Sequence, residues 1–467
     1  MQEISETRFN AIAGYARHPL ARVTGEELRY FEGASGSILG IMIRDRTDGD
    51  FAGLAFGRDK KLKFRASAMT SFFETPDEAF EALGTLVTKL TAESDEFHYQ
   101  GDEVGEPVDF FTPVHPPEKL HPSFCTLISQ RGFSPAREII APMMRWHEDL
   151  DGNFVEQFQS TAFDQRIWEL YLFATLTELG YKLDGAHHIP DFIASGLLGQ
   201  VAIEAVTVGP TKQGNAIVPP PPTSNEEEVR AYLTDYMPIK YGSALFSKLR
   251  KEYWKQPQIK KTPFVLAVAD FSSPTLPSTT SALERYLYGY SWEASVDSDG
   301  VRAPPVKLTE HRWGEKVIPS GFFGIPEADN ISAVISTSAG TISKFNRMGL
   351  LSGFGDRDVL MIRRGTCVDG RPEATGPKIF EAVVNAADYR ETWVEGMDVY
   401  HNPRAKLPLP KSMFPGTAHH WCDQNGSRRL FAPQFHPMGS TTRIETGIDI
   451  ERVLKEHDGA NFRVWGR

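Results

Sequence analysis

A chain of 467 residues with 40% hydrophobic and 24% charged residues is long enough for two or three domains, and its 30 Phe and 8 Trp exclude a mostly disordered polymer. Its formal net charge of -11 excludes nucleic-acid binding through overall basicity, which leaves only a local basic groove for that role. Three cysteines, Cys125, Cys367 and Cys422, cannot build a disulfide framework and point to a reducing compartment, by default the cytoplasm; the absence of an apolar run of about 18 residues or of an N-terminal h-region argues against membrane insertion and secretion.

In chain order, residues 22 to 70 alternate apolar and polar positions in short runs (SILGIMIRD, FAGLAFGRD, KLKFRASAM) broken by TDGD, the pattern of a small antiparallel sheet. A helix follows in TPDEAFEALGTLVTKLTAE, with Thr75 as N-cap and acids in its first turn. Together they read as an N-terminal α+β module over residues 1–115. The proline-rich PVHPPEKLHPSF reads as a linker or extended crossing into a second unit, residues 116–467. There the run from Asp164 to Gly180 is apolar almost all round, so it reads as a buried helix ended by glycine. VPPPPTSNEEE is a surface loop leading into a helix with an acidic first turn. A basic helix and the buried strand PFVLAVADF come next, and the order helix, strand, strand, helix, strand is an α/β signature. The C-terminal part reads as short strands (NISAVIST, DVLMIRR) and long loops.

Three acids stand in costly places: Glu169 inside the aromatic helix, Asp191 in HHIPDFIA, and Glu204 in the apolar run QVAIEAVTV. A carboxylate in such surroundings costs several kcal/mol unless it is paired or holds a cation, so three in one region suit a metal. Hard divalent ions take oxygen ligands, and Mg²⁺ commonly uses one or two carboxylates plus waters and a phosphate oxygen. Asp191 and Glu204, on antiparallel strands joined by SGLLG, fit that need. The alternative is that Asp191 and Glu204 cap loops or pair with Arg166, Lys182 or Lys212.

Pro190-Asp191 followed by Glu204 in a hydrophobic strand resembles the pattern of the restriction-endonuclease-like (PD-(D/E)XK) nuclease superfamily, with Glu169 on the preceding helix as its further acid. The resemblance covers about residues 163–271. It implies a mixed central sheet flanked by helices, and metal-dependent phosphodiester hydrolysis with Mg²⁺ or Mn²⁺ on Asp191 and Glu204. It also implies a nucleic-acid partner, DNA ahead of RNA, a homodimer for two-strand cleavage, and a bacterial intracellular setting. The family's lysine falls at Val206, work that valine cannot do. Lys248 on the basic helix is the preferred replacement, with Lys212 and Lys251 as the other candidates; Gln200 is a further water-positioning candidate. A catalytically inactive binding or scaffold protein on the same fold is the alternative function.

Between Lys240 and Lys261 seven basic residues face the single acid Glu252, a concentration that suits a phosphate backbone. Lys212 and Lys251 are read as substrate contacts, as are Lys344, Asn346, Arg347 and Arg404 in segments read as loops. His187 and His188 beside Asp191 are candidates for metal or phosphate contact. His401, His419, His420, Cys422 and His436 allow a zinc site to be imagined, although their spacing matches no standard pattern; a cysteine hydrolase on Cys367 or Cys422 is the remaining reading.

Overall fold

The computed structural model describes residues 1–34, 36–93, 97–147, 152–187, 189–214, 216–272, 279–292, 304–371, 374, 376–456 and 462–465. Five strands, β1 (Gln2–Ile4), β2 (Gly25–Glu32), β3 (Ile38–Asp45), β4 (Phe51–Arg58) and β5 (Phe64–Met69), form an antiparallel sheet in sequence order. Helix α1 (Glu6–Ala13) packs on one face, burying Phe9 and Ile12 against Tyr30, Leu39 and Ile41. Helix α2 (Pro76–Glu93) closes the other through Ala79, Leu83 and Val87. Its start has the Thr75 N-cap expected from sequence: the Glu78 N–H donates to Thr75 Oγ1 at 3.4 Å while that hydroxyl donates to Glu78 Oε2 at 2.7 Å.

The stretch read as a linker is held to the protein that follows it. Gln159 accepts the Val114 N–H at 2.8 Å on its side chain and the His121 N–H at 2.9 Å on its carbonyl. Pro122 opens a helix, Pro122–Ser129, whose N-cap is His121, because a proline at the first helical position has no hydrogen bond to lose. Helices α3 (Ser134–Trp146) and α4 (Phe163–Glu178) follow, and Gly180 takes φ +83°, the left-handed turn past a helix end for which glycine is suited.

A mixed eight-stranded sheet forms the centre. In chain order its members and the hairpins beside it are β6 (Lys182–Leu183), β7 (Phe192–Gly196), β8 (Gly199–Val208), the ribbon β9 (Thr211–Gln213) with β10 (Ala216–Val218), β11 (Phe264–Asp270), the ribbon β12 (Glu310–Trp313) with β13 (Lys316–Pro319), and β14 (Ala333–Thr337). The C-terminal part adds β15 (Leu360–Cys367), β16 (Lys378–Val383), β17 (Met397–His401), β18 (Ala418–Cys422), β19 (Arg428–Phe431), β20 (Pro437–Glu445) and β21 (Phe462–Trp465). The central order is β19-β18-β17-β14-β11-β8-β7-β6, parallel for β8-β11-β14 and antiparallel for the β7-β8 hairpin; β20-β15-β16-β21 is a separate four-stranded sheet.

Alternation along the strands sorts side chains to two cores. Val201, Ile203, Ala205, Val265 and Ile335 face α4, whose Trp168 donates its indole N–H to the Ala267 carbonyl at 2.9 Å. Ala202, Val206, Leu266, Val268 and Val334 face helices α5 (Met237–Leu249) and α6 (Thr280–Tyr288). The chain is thus a mixed α/β protein with helices on both faces of its main sheet and a small antiparallel sheet at its N-terminus. Among the described residues no helix is long and apolar enough to cross a membrane.

Two sequence expectations need correction here. The basic segment is not one helix: α5 ends at Leu249, and the chain then turns through Glu252, at φ 49°, into two short 3-10 turns, so Lys255, Lys260 and Lys261 lie off the helix. The run read as the loop GTISKFNRMG is helix α7 (Ile342–Leu351), and its Lys344 and Arg347 are 0% and 2% exposed.

Candidate functional site

The β7-β8 hairpin sets the site by register. Phe192 pairs with Ile203, which puts Asp191, just before β7, opposite Glu204. The Ala205 N–H donates to Asp191 Oδ2 at 2.7 Å and the Asp191 N–H to Glu204 Oε2 at 3.4 Å, so each carboxylate is held by the other strand's backbone. Even positions of β8 point toward α5, and from that helix Lys248 Nζ reaches Glu204 Oε1 at 2.5 Å. Val206, also an even position, is buried in the apolar core under α5. The position where the resemblance expects a lysine is therefore core, while the cation beside Glu204 comes from the helix.

Glu169 comes from α4 and is 3% exposed. Its two oxygens accept from Gln165 Nε2 at 3.0 Å and from Arg166, neighbours four and three residues back along the helix. Arg166 is fixed in turn by Gln157, with Nε donating to Oε1 at 3.0 Å, and lies over the Phe154 ring at 5.1 Å. Arg166, open from sequence as a partner of Asp191 or Glu204, pairs with Glu169 instead; Gln165 gave a readable signal in its i, i+4 spacing to Glu169.

The electrostatics show where charge is uncompensated. Burial raises the Glu169 carboxyl, with Arg166 opposing and Asp191 adding to the rise. Asp191 is pushed up to about 7, first by the surrounding protein displacing water and then by the Glu204 charge. Asp191 nevertheless opens to solvent, which suits a group that must meet a ligand. Burial works against the Lys248 ammonium, but the Glu204 charge and hydrogen bond outweigh it and raise its pKa above the usual lysine value. Three carboxyls thus face two permanent cations, Arg166 and Lys248, and a proton on Asp191 or a metal ion makes up the difference.

A divalent ion fits the donor set: Asp191 and Glu204 supply hard oxygens on adjacent strands, and Mg²⁺ takes its remaining ligands from water and phosphate. Among the described residues no group of three or more His, Cys, Asp or Glu side chains is placed to hold a metal ion, so Asp191 and Glu204 stand as a pair of side-chain donors.

The other expected contacts are scattered. Lys212 is exposed on β9, and Lys251 lies past the end of α5 with its ammonium 5.6 Å from the Tyr253 ring centre. Lys344 and Arg347 are not substrate contacts: both are spent on Glu391, at 2.8 Å each, and a buried carboxylate binds them in place of phosphate. Asn346 is likewise buried, bonded to the Ala136 N–H and the Gly132 carbonyl. Gln200 is used on Ser195 and Thr262. His187 pairs with Asp184 at 2.8 Å, and His188 lies outside the described residues.

The C-terminal histidines form pairs instead of a zinc site, because neighbours on a strand point to opposite faces. His401 and His419 contact each other at 2.9 Å, whereas His420 and His436 both donate to Asp398 Oδ1, at 2.7 and 3.2 Å. Burial pushes the Cys422 thiol up to about 11 and raises that of Cys367, the opposite of the lowered pKa that activates a nucleophilic cysteine. No protein-family model, curated protein or solved structure matches the chain.

Proposed function

We propose that the protein is a metal-dependent nuclease with a restriction-endonuclease-like core, hydrolysing phosphodiester bonds in DNA ahead of RNA. The single observation that supports this most is the convergence on one hairpin of Asp191, Glu204 and Lys248, an ordered acid, acid, cation set whose lysine comes from α5. Asp191 and Glu204 would hold the ion. Bound there, Mg²⁺ or Mn²⁺ supplies an acidified attacking water and a polarised phosphoryl oxygen.

The chain's own groups do the rest. Lys248 presents an ammonium that stays protonated through neutral pH and can shift from Glu204 to negative charge growing on the phosphate. Glu169, raised by burial, is a proton acceptor or water-orienting group held in place by Gln165 and Arg166. The exposed side of Asp191 gives a substrate access.

One observation favours the scaffold alternative: both oxygens of Glu204 already have partners, so the site is satisfied without an ion. A cleavage assay on single- and double-stranded DNA and RNA with Mg²⁺ and Mn²⁺ separates the two. Cleavage that is lost in Asp191→Ala and in Glu204→Ala supports the nuclease, and no cleavage under any condition supports the scaffold.

A further inference from the structure

A second feature on the same helix bears on what such an enzyme would hold. Where β8 ends, a concave space of about 710 Å³ is lined by Lys212, Lys240, Lys316, Tyr236 and Trp313, and among the described residues no Asp or Glu lines it. The two ribbons flank it, β9-β10 bringing Lys212 and β12-β13 bringing Trp313 and Lys316. Two of these lysines are hydrogen-bonded to hydroxyls, Lys240 Nζ donating to Thr211 Oγ1 at 3.0 Å and Lys316 Nζ to Ser243 Oγ at 2.6 Å, and the buried Asp270 carboxylate reaches Lys240 through its charge alone. Trp313 is 38% exposed and stands in a T-shaped contact with Tyr236, the ring centres 5.3 Å apart, so the indole is braced while part of it stays open to solvent.

Lys240, Ala244 and Lys248 recur every four residues on α5, so the face that brings Lys248 to Glu204 brings Lys240 to this notch, about 12 Å further along the axis. That distance corresponds to roughly three to four base steps of one strand in a duplex. Ammonium groups hydrogen-bonded to hydroxyls suit phosphates, and a braced, exposed indole suits an unpaired base, since every base has a stackable face and a paired one does not present it.

We propose that this notch binds a single-stranded segment of DNA, its phosphates on Lys212, Lys240 and Lys316 and a base on Trp313. It rests on the nuclease reading only for its biological purpose: the single strand would run along α5 to the acidic hairpin.

The test is fluorescence anisotropy with a fluorescein-labelled ten-residue oligothymidylate and a labelled hairpin duplex of equal charge, in chelator, for the intact chain. Trp313→Ala is expected to weaken the single strand about tenfold or more while leaving the duplex within twofold, with Trp313→Phe recovering most of the loss. Lys240→Gln with Lys316→Gln is expected to lower the slope of log affinity against log salt by about 1.4 for the single strand. Single-strand binding indifferent to both variants, or single-strand and duplex binding lost in equal measure, overturns the notch. Because binding is read without metal, Trp313-dependent binding by a protein that never cleaves removes the nuclease reading and keeps the notch. Cleavage lost in Glu204→Ala, with binding untouched by Trp313→Ala, does the reverse.

Discussion

Lys248 Nζ stands 2.5 Å from Glu204 Oε1, joining a helix on one face of the central sheet to the strand that carries the candidate metal ligand. Were Lys248 merely a surface lysine, a flexible, solvated ammonium would be expected; instead it is largely covered, with its side chain 22% exposed, and its pairing with Glu204 lets it stay charged there.

If Lys248 does the work proposed for it, Lys248→Ala should slow single-turnover cleavage about 100-fold or more with little change in substrate affinity, and Lys248→Arg should lose less. Equal rates for Lys248→Ala and the native protein would remove the lysine from the chemistry.

Placing a lysine at position 206, where the nuclease pattern has one, should fail. Val206 is 2% exposed in the core with Tyr232, Tyr236 and Leu245, so Val206→Lys would bury an ammonium among apolar groups, at about 3 kcal/mol or more of stability by urea unfolding. An unchanged midpoint would mean that this core opens there.

Asp191 gives a pH signature in the absence of metal. Its folded-state pKa, about 7, lies above the ordinary aspartate value, so between about pH 4 and 7 the folded state holds a proton that the unfolded state has released, and stability falls as pH rises through that window. Asp191→Asn lacks this loss. In chelator the variant should therefore gain on the native protein from pH 5 to pH 8, by roughly 1 kcal/mol because the exposed side of Asp191 is screened by water. A difference that stays constant with pH would contradict the shift.

Much of this arrangement was readable because it breaks local rules. Glu169 and Glu204 interrupt apolar runs, and Asp191 precedes a short strand at a turn, so the cost of burying charge pointed to them before any geometry did. The β7-β8 hairpin was readable from its SGLLG turn, and α2 from its Thr75 N-cap and acidic first turn. Lys344 and Arg347 misled because the run that carries them is polar and flanked by glycines, while the partner that buries them, Glu391, lies more than 40 residues further along the chain. Trp313 and Lys316 gave no signal for the same reason: their ribbon is short, and its place beside β8 is set by tertiary packing.

The buried cluster around Glu391 carries a stability prediction. Lys344, Arg347 and Arg363 all reach this one carboxylate, with Tyr389 donating to it at 2.7 Å, and although burial opposes ionisation, the three cations hold its pKa well below the usual range. Glu391→Gln leaves those cations undercompensated and should cost about 3–5 kcal/mol at pH 7. Since the folded pKa is depressed, the contribution is present above the ordinary glutamate value and is lost only as pH falls below it, so the penalty should shrink in acid alone. A loss under 1 kcal/mol at pH 7 by urea unfolding would show that the cations relax to water.

The most direct measurement of the metal site is Mn²⁺ binding followed by electron paramagnetic resonance, on the native protein and on Asp191→Asn and Glu204→Gln at pH 8. One bound ion per chain, lost or weakened at least tenfold in both variants, is the expected result. No bound Mn²⁺ in the native protein, or binding unchanged in both variants, would contradict a metal site on the β7-β8 hairpin and with it the proposed hydrolysis.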